Sequence, residues 1–143
     1  MREDPPARFG AHTPPAEWLR TAAVLSPRTA ALQTEASSFD YSDLAARTER
    51  LAVGLEGGGV GPGATIAVAV ESARLIAHLV YATARLGAAL LPLNPALPQA
   101  GRDELLARAA VTHMIAGPGI DTQLAGLRRV DPAPLLRLIT AEA

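Results

Sequence analysis

The sequence contains no cysteine and no lysine, and it has no apolar run of about 18 residues, the length that predicts a membrane-spanning helix. Without cysteine the chain forms no disulfide, thiolate metal site or cysteine nucleophile, which fits a reducing compartment. Met1 to Pro6 lead into no apolar stretch, so no secretory signal is predicted. We therefore expect a cytoplasmic protein with no membrane span.

Clustered charge is also missing. The 13 basic and 14 acidic residues are spread along the chain and leave a net charge of −1. A nucleic-acid or anionic membrane partner would need a basic patch, so neither is predicted. All the basic residues are arginine, and the absence of lysine beside abundant alanine, arginine, glycine and proline suggests a GC-rich bacterial genome.

The sequence does contain enough apolar material for one folded domain. Hydrophobic residues make up 49% of its 143 residues, and its 12 glycines and 12 prolines are too few for a disordered chain. Residues 1–15 are polar and proline-rich, and they are predicted to form an extended or mobile arm. Residues 16–143 are predicted to form an α/β domain.

Helix and strand patterns alternate along that domain. The predicted elements are a helix at Ala16–Leu25, a hairpin of Thr29–Thr34 with Ser38–Tyr41, a helix capped by Ser42 or Asp43 that ends in Gly57–Gly59, a strand at Thr65–Val70, a helix at Ala73–Leu86, a strand at Ala88–Leu93, a helix at Gln99–Ala110, a strand at Thr112–Ala116, a short helix at Asp121–Leu127 and a last strand at Leu135–Thr140. Trp18 is interpreted as a core or docking anchor, and Leu105, Leu106 and Ala109 are predicted to face inward. Helical spacing in the second helix predicts a solvent side with Arg47, Glu49, Arg50 and Glu56 and a buried face formed by Leu44, Thr48, Leu51, Ala52 and Leu55. The alternation predicts a mainly parallel sheet covered by helices.

A glycine-rich segment, Gly59–Ala64, matches the dinucleotide fingerprint Gly-x-Gly-x-x-Gly/Ala. That fingerprint binds pyrophosphate where it follows a strand and opens a helix, because the N-terminal amides of the helix then face the ligand. Here the segment follows a predicted helix and opens a predicted strand, and Pro62 removes one amide. We interpret it as a turn, which disfavours the hypothesis of a small Rossmann-type oxidoreductase.

The histidines give no catalytic or metal-binding pattern. His78 lies on a predicted buried helix with no second histidine or carboxylate four residues on, and His113 lies on a predicted strand. Both are interpreted as packed side chains. We assign no catalytic residue and no metal ligand, and Asn94 is not assigned a catalytic role either.

The stretch Ala84–Leu97 joins a helix to a strand. Gly87 is predicted to end the helix in the left-handed conformation, and Pro92 and Pro95 are predicted to end the strand. Asn94 stands between the two prolines and is expected to be extended, with its side chain bonded to a neighbouring peptide group.

Phe39–Leu44, Gly59–Val68 and Ala84–Leu97 stand in this order along the chain. Together they resemble the front of the adenylate-forming superfamily, which includes acyl-CoA synthetases, luciferases and peptide-synthetase adenylation domains. The resemblance extends from about Pro14 to Thr140 and is limited to the first part of the N-terminal domain of such an enzyme. It therefore implies that residues 16–143 are a partial domain.

The resemblance implies that ATP and Mg²⁺ activate a carboxylic acid to an acyl-adenylate. Many members then transfer the acyl group to a thiol of CoA or of a carrier protein. The phosphate loop and a lysine that stabilises the transition state come later in such enzymes than the region matched here. This sequence has no lysine for either role. We therefore expect the chain by itself to bind neither ATP nor Mg²⁺ and to be inactive, and its cofactor-binding residues stay unassigned.

Two hypotheses of function follow. In the first, the chain is the N-terminal scaffold of an adenylate-forming ligase, either as a fragment or as the first subunit of an enzyme split over two chains. In the second, it is a free-standing binding or interaction protein that keeps the front of the fold without catalysis. The partner is then the remainder of the enzyme, or a second copy paired through the exposed strand predicted at Leu135–Thr140.

Overall fold

The computed structural model describes residues 15–140. The predicted arm lies outside this range, apart from Pro15, which begins the first helix. The elements in chain order are α1 (Pro15–Leu25), β1 (Ala30–Gln33), β2 (Ser38–Asp40), α2 (Tyr41–Gly57), β3 (Thr65–Ala69), α3 (Ala73–Arg85), β4 (Ala89–Pro92), α4 (Gln99–Arg108), β5 (His113–Ala116), β6 (Arg128–Val130) and α5 (Pro132–Thr140). None of these helices has both the length and the apolar character that crossing a lipid bilayer requires.

Four strands form a parallel sheet in the order β4-β3-β5-β6. Ile66 of β3 pairs with Leu90 on one side and with His113 on the other, so β3 lies inside the sheet. Strands β1 and β2 form a separate antiparallel hairpin, as the sequence predicts. The predicted α/β fold with a mainly parallel sheet is therefore confirmed.

The two faces of the sheet bury different side chains, because successive residues of a strand point in opposite directions. Ile66 and Ile115 pack with α2, α3 and α5 on one face. Ala67 and Met114 pack on the other face with Leu106 of α4. Fully burying a large aliphatic side chain stabilises the fold by about 1.5–3 kcal/mol, so the helices on both faces hold the sheet between them.

Helix α2 buries the face that its sequence predicts. The buried side chains are Leu44, Thr48, Leu51, Ala52 and Leu55. Arg47 and Arg50, which the pattern places on the solvent side, are half-buried and donate to the backbone carbonyls of Ile139 and Leu138 in the last turn of α5. Positive groups are favourable there, because the last carbonyls of a helix are unpaired and carry partial negative charge.

The last predicted strand, Leu135–Thr140, is wrong, since these residues belong to α5. Leu135 and Ile139 lie one helical turn apart, and both are buried in the cluster formed with α2 and α3. A short apolar run suits a buried helix as well as a strand, so hydrophobicity does not separate the two. The strand edge proposed for pairing with a second copy is therefore replaced by a packed helix.

The helix predicted at Asp121–Leu127 is also wrong. The segment is irregular, and its Thr122 and Gln123 bond the carboxylate of Asp103. Strand β6 follows at once, at Arg128–Val130, where the sequence predicts no strand. Only three residues long and with two arginines, β6 lacks the alternating apolar pattern by which strands are recognised.

One prediction of burial is wrong as well, since Leu105 is 39% exposed. Trp18 is 43% exposed, so it is not a core residue, and its other predicted role, as a docking anchor, stays a prediction. Leu106, predicted to face inward with Leu105, is buried. Neighbouring leucines on a helix point about 100° apart, so burial of one does not require burial of the other.

The cap of α2 lies earlier than predicted. Asp40, rather than Ser42 or Asp43, is the N-cap residue. The Asp43 amide donates to Asp40 Oδ1 at 2.7 Å, and the Asp40 amide donates to Asp43 Oδ2 at 3.3 Å. This reciprocal pair satisfies two amides and places negative charge at the helix N-terminus.

We predict that Asp40→Ala lowers the free energy of unfolding by about 1 kcal/mol, because the amide of Asp43 loses its acceptor. Ser42→Ala is the matched control: Ser42 is exposed and its side chain makes no hydrogen bond within residues 15–140, while its backbone amide donates to Pro27 O. Urea unfolding followed by circular dichroism measures both. Equal losses in the two variants would show that the Asp40 cap does not stabilise the helix.

Candidate functional site

The carboxyl ends of the four parallel strands meet at one edge of the sheet. From the adjacent strands β3 and β5, the chain leaves this edge toward opposite faces. After β3 it enters α3, which packs on the face of Ile66, and after β5 it enters residues 117–127, where Ile120 and Leu124 pack on the face of Met114. Ligands of open α/β sheets bind outside the carboxyl ends of strands where the connections diverge in this way. This carboxyl edge is therefore the candidate functional site.

The ends of β5 and β6 frame a shallow cavity of about 370 Å³ lined by Ala116, Pro118, Arg129 and Asp131. Arg129 Nη2 donates to the carbonyl of Gly117 at 2.5 Å. Asp131 Oδ1 accepts the amide of Ala133 at 2.9 Å, in the first turn of α5. Both charged side chains therefore stabilise the backbone around the cavity through hydrogen bonds.

The corner after β4 is fixed by its own hydrogen bonds. The Leu93 amide donates to Val68 O at 2.8 Å, and Leu93 itself is buried. Asn94 Oδ1 accepts the amide of Ala96 at 2.9 Å, as the sequence predicts for this asparagine. Pro92 ends β4, an edge strand, where a missing amide is tolerated. Asn94 thus forms the turn at this corner.

A buried arginine joins the corner to the loop after β5, and sequence reasoning missed it. Arg102 of α4 is only 5% exposed. Its Nη1 donates to Leu97 O at 2.8 Å, and its Nε donates to Asp121 O at 3.1 Å. The signal was its position one turn before the buried Leu106, on the inward face of α4. Charged hydrogen bonds to carbonyls compensate the guanidinium for its burial.

A carboxylate on the same helix tethers the same loop. Thr122 Oγ1 donates to Asp103 Oδ1 at 2.6 Å, and the Gln123 amide donates to Asp103 Oδ2 at 3.2 Å. The hydrogen bond from the Thr122 hydroxyl lowers the pKa of the Asp103 carboxyl, because it stabilises the charged form. Asp103 and Arg102 therefore fix the conformation of the loop that borders the carboxyl edge.

The glycine-rich segment, residues 59–64, lies between α2 and β3 as predicted, at the opposite edge of the sheet. The Gly63 amide donates to Gly87 O at 3.2 Å, and the Ala64 amide donates to Gly61 O at 3.1 Å. Gly59 has a φ of +91°, and a Cβ there would come within 2.5 Å of an Arg128 nitrogen. The glycines therefore serve a turn.

We predict that Gly59→Ala destabilises the protein by about 1–2 kcal/mol, because alanine is strained at positive φ. Gly61 is the matched control, since nothing lies within 4 Å of a Cβ there and its φ is not in the left-handed region. Gly61→Ala is expected to change the free energy of unfolding by less than about 0.5 kcal/mol. A larger loss at Gly61 than at Gly59 in urea titrations would contradict this assignment.

Two of the three histidines, His78 and His113, lie within the described residues, and both are buried. His113 begins β5, at the amino edge of the sheet, and its Nδ1 lies 2.8 Å from Thr112 Oγ1. The same hydroxyl lies 3.1 Å from Thr65 O, so Thr112 links the imidazole to the neighbouring strand β3. Within residues 15–140, no three histidine, aspartate or glutamate side chains come together as a metal site would require.

His78 is fully buried on α3. Its Nδ1 donates to Arg74 O at 2.7 Å, and its ring meets the Phe39 ring edge-on with centroids 6.3 Å apart. Its Nε2 has no partner among the described residues. Burial lowers the pKa of His78, and the positive charges of Arg47 and Arg74 lower it further. Folding therefore favours the neutral form of this imidazole.

We predict that wild-type stability falls as the pH drops below 6.5, the ordinary pKa of histidine, because the unfolded chain then binds a proton that folded His78 resists. His78→Phe keeps the ring and removes the titration, so its free energy of unfolding should depend less on pH between about 7.5 and 5.5. Urea unfolding across this range gives both curves. Parallel curves would show that another group causes the pH dependence.

The family profile described as AMP-binding enzyme matches residues 19–142. An indoleacetate–CoA ligase of Aromatoleum aromaticum is 32% identical over 113 residues, which are 78% of this chain and 22% of that protein. Surfactin synthase subunit 3 of Bacillus subtilis is 26% identical over 124 residues, which are 87% of this chain and 10% of that protein. The chain thus spans less than a quarter of the length of these two curated relatives.

The fold has close counterparts among solved structures. The N-terminal subdomain of NpsA from Klebsiella oxytoca, in complex with anthranilyl-AMSN, matches with a TM-score of 0.81 at 18% identity. The match covers 94% of this chain and 36% of that one. At this identity the likeness shows the fold alone, which is that of part of an N-terminal subdomain, as the resemblance predicts.

Proposed function

Because the chain belongs to the AMP-binding enzyme family, we propose that it is the N-terminal scaffold of an ATP-dependent ligase that converts a carboxylic acid to an acyl-adenylate. A relative named as a CoA ligase supports an acid–thiol ligase as the whole enzyme. The acid and the thiol acceptor are not assigned, because nothing in these residues identifies either. The partner is the remainder of the ligase, in the same chain or in a second one.

The proposal rests on one observation: polar side chains at the carboxyl edge form hydrogen bonds with the backbone of this chain. Asn94, Arg102 and Arg129 each bond the backbone that surrounds the edge. Such bonds make the loops rigid before any ligand binds, and a rigid support is what a precise active site needs. These residues therefore position the edge on which the rest of the enzyme builds its site.

Two observations support assigning ATP and Mg²⁺ to the remainder of the enzyme. A phosphate cradle needs free amides, and the amides of Gly63 and Ala64 donate within the chain. The absence of lysine from the sequence removes the residue that serves the phosphate loop and the transition state in the resembling enzymes. Loss of one transition-state donor commonly costs about 10²–10³ in rate. We therefore assign ATP, Mg²⁺ and adenylation to the complete enzyme.

We predict no ATP–pyrophosphate exchange by these 143 residues with any member of a panel of carboxylic acids. Exchange is expected when the chain is combined with a second polypeptide that supplies the phosphate loop and the catalytic lysine of the family. Incorporation of labelled pyrophosphate into ATP is the measurement. The control is the second polypeptide by itself, which should exchange more slowly because it lacks this support.

Each other outcome has a distinct meaning. Exchange by the chain without a partner would overturn the scaffold proposal and require a phosphate site within these residues. A second polypeptide that is equally active with and without the chain would show that the scaffold is dispensable. Silence of the combination, with folding of both parts verified by circular dichroism, would instead favour a free-standing binding protein.

A further inference from the structure

The corner and the loop that border the carboxyl edge come from strands that do not pair with each other. The corner (residues 93–97) follows β4 and the loop (residues 117–127) follows β5, and β3 lies between these two strands. Within residues 15–140, no hydrogen bond runs directly from the corner to the loop. Their relative position therefore depends on what else contacts both of them.

Arg102 of α4 bonds both segments. Its Nη1 donates to Leu97 O at 2.8 Å, and its Nε and Nη2 donate to Asp121 O at 3.1 Å and 2.5 Å. These acceptors lie five residues before and nineteen residues after Arg102 in the chain. The donors of a guanidinium are fixed in one plane, so a displaced carbonyl on one side must shift the whole group or break its bonds.

The surroundings of Arg102 favour keeping both sets of bonds. Arg102 is 5% exposed, and within residues 15–140 it makes no ion pair. A buried donor that loses its acceptor is costly, because water does not replace the lost bond. Arg108 on the same helix is the opposite case, since its side chain is 76% exposed and lies 4.0 Å from Glu104. A bond to one segment alone is therefore unfavourable for Arg102.

The loop is held to α4 as one unit. Asp103, the next residue of the helix, accepts Thr122 Oγ1 at 2.6 Å and the Gln123 amide at 3.2 Å. Three consecutive loop residues, 121–123, thus bond two consecutive residues of α4. A shift of this part of the loop therefore reaches the guanidinium and, through it, the corner.

We propose that Arg102 couples the corner to the loop, so that the two segments keep one relative position and a shift in either displaces the other. Arg102 is then a positioning residue, which acts through the carbonyls of Leu97 and Asp121. The coupling is a property of this chain, and its consequence for adenylation rests on the proposed function. An apolar cluster that includes Leu93, with Ile120 packed against it, is an alternative route that the test separates.

Thr122→Val tests transmission from the loop to the corner, because it removes the loop hydroxyl and leaves Arg102 in place. We predict that it speeds hydrogen exchange of the Leu97 amide, which donates to Asn94 O at 3.0 Å, at least about twofold. In Arg102→Met, which lacks the donors, the same substitution should leave exchange of the Leu97 amide unchanged. Arg108→Met is the matched control, and in that background the response should persist.

Asn94→Ala tests the opposite direction in a chain that keeps Arg102. It removes the acceptor of the Ala96 amide and so perturbs the corner. Hydrogen exchange of the Ile120 amide, which donates to Gly117 O at 3.2 Å in the loop, should quicken at least about twofold. This variant decides the proposal if circular dichroism shows that Arg102→Met does not fold. A response confined to the corner would overturn the coupling.

Two further outcomes would also contradict the proposal. Transmission that persists undiminished in Arg102→Met would assign the coupling to the apolar cluster. Arg102→Lys keeps the charge on a single donor point and should not restore transmission, because one ammonium lacks the planar set of donors. Full restoration by lysine would overturn the role given to the guanidinium.

The consequence for the proposed ligase has its own readout. In combination with the second polypeptide, Arg102→Met should lower the rate of ATP–pyrophosphate exchange at saturating acid and ATP at least about threefold, and Arg108→Met should not. Silence of the combined wild-type chains would count against the proposed function alone, because amide hydrogen exchange decides the coupling without any activity. An active ligase in which neither amide responds would overturn the coupling alone.

Discussion

The parallel pairing of β3 with β4 and β5 is the constraint on which the rest of the structure depends. Ile66, Ala67 and Val68 are fully buried, with the sheet on both sides and helices on both faces. Every backbone group in such a strand needs a partner, because water does not reach it. The pairing therefore fixes where the strands end, and with that it fixes which loops meet at the carboxyl edge.

Arginine supplies most of the long-range polar contacts that hold those loops and helices. Arg47 and Arg50 bond the last turn of α5, Arg102 bonds the corner and the loop after β5, and Arg129 bonds Gly117. A guanidinium carries five donors in one plane, so one side chain reaches carbonyls on two segments at once. A chain without lysine uses this geometry to connect helix ends with loops, and so supports the candidate site without joining its chemistry.

The sequence predicts the features whose cause is local. The five buried positions of α2 follow from helical spacing, and the turn at residues 59–64 follows from the order of helix and strand around it. The fold class follows from the alternation of elements and from the family resemblance. Each of these signals lies within one segment or in the order of segments, so no knowledge of tertiary contacts was needed.

The features that sequence reasoning missed depend on distant contacts. The apolar run Leu135–Thr140 suits a buried strand as well as a buried helix. Its helical state is stabilised by hydrogen bonds from Arg47 and Arg50, about ninety residues earlier. Arg102 looks like a solvent residue until Leu97 and Asp121 are placed around it. At the carboxyl edge the polar side chains already have partners within the chain, which suits a support.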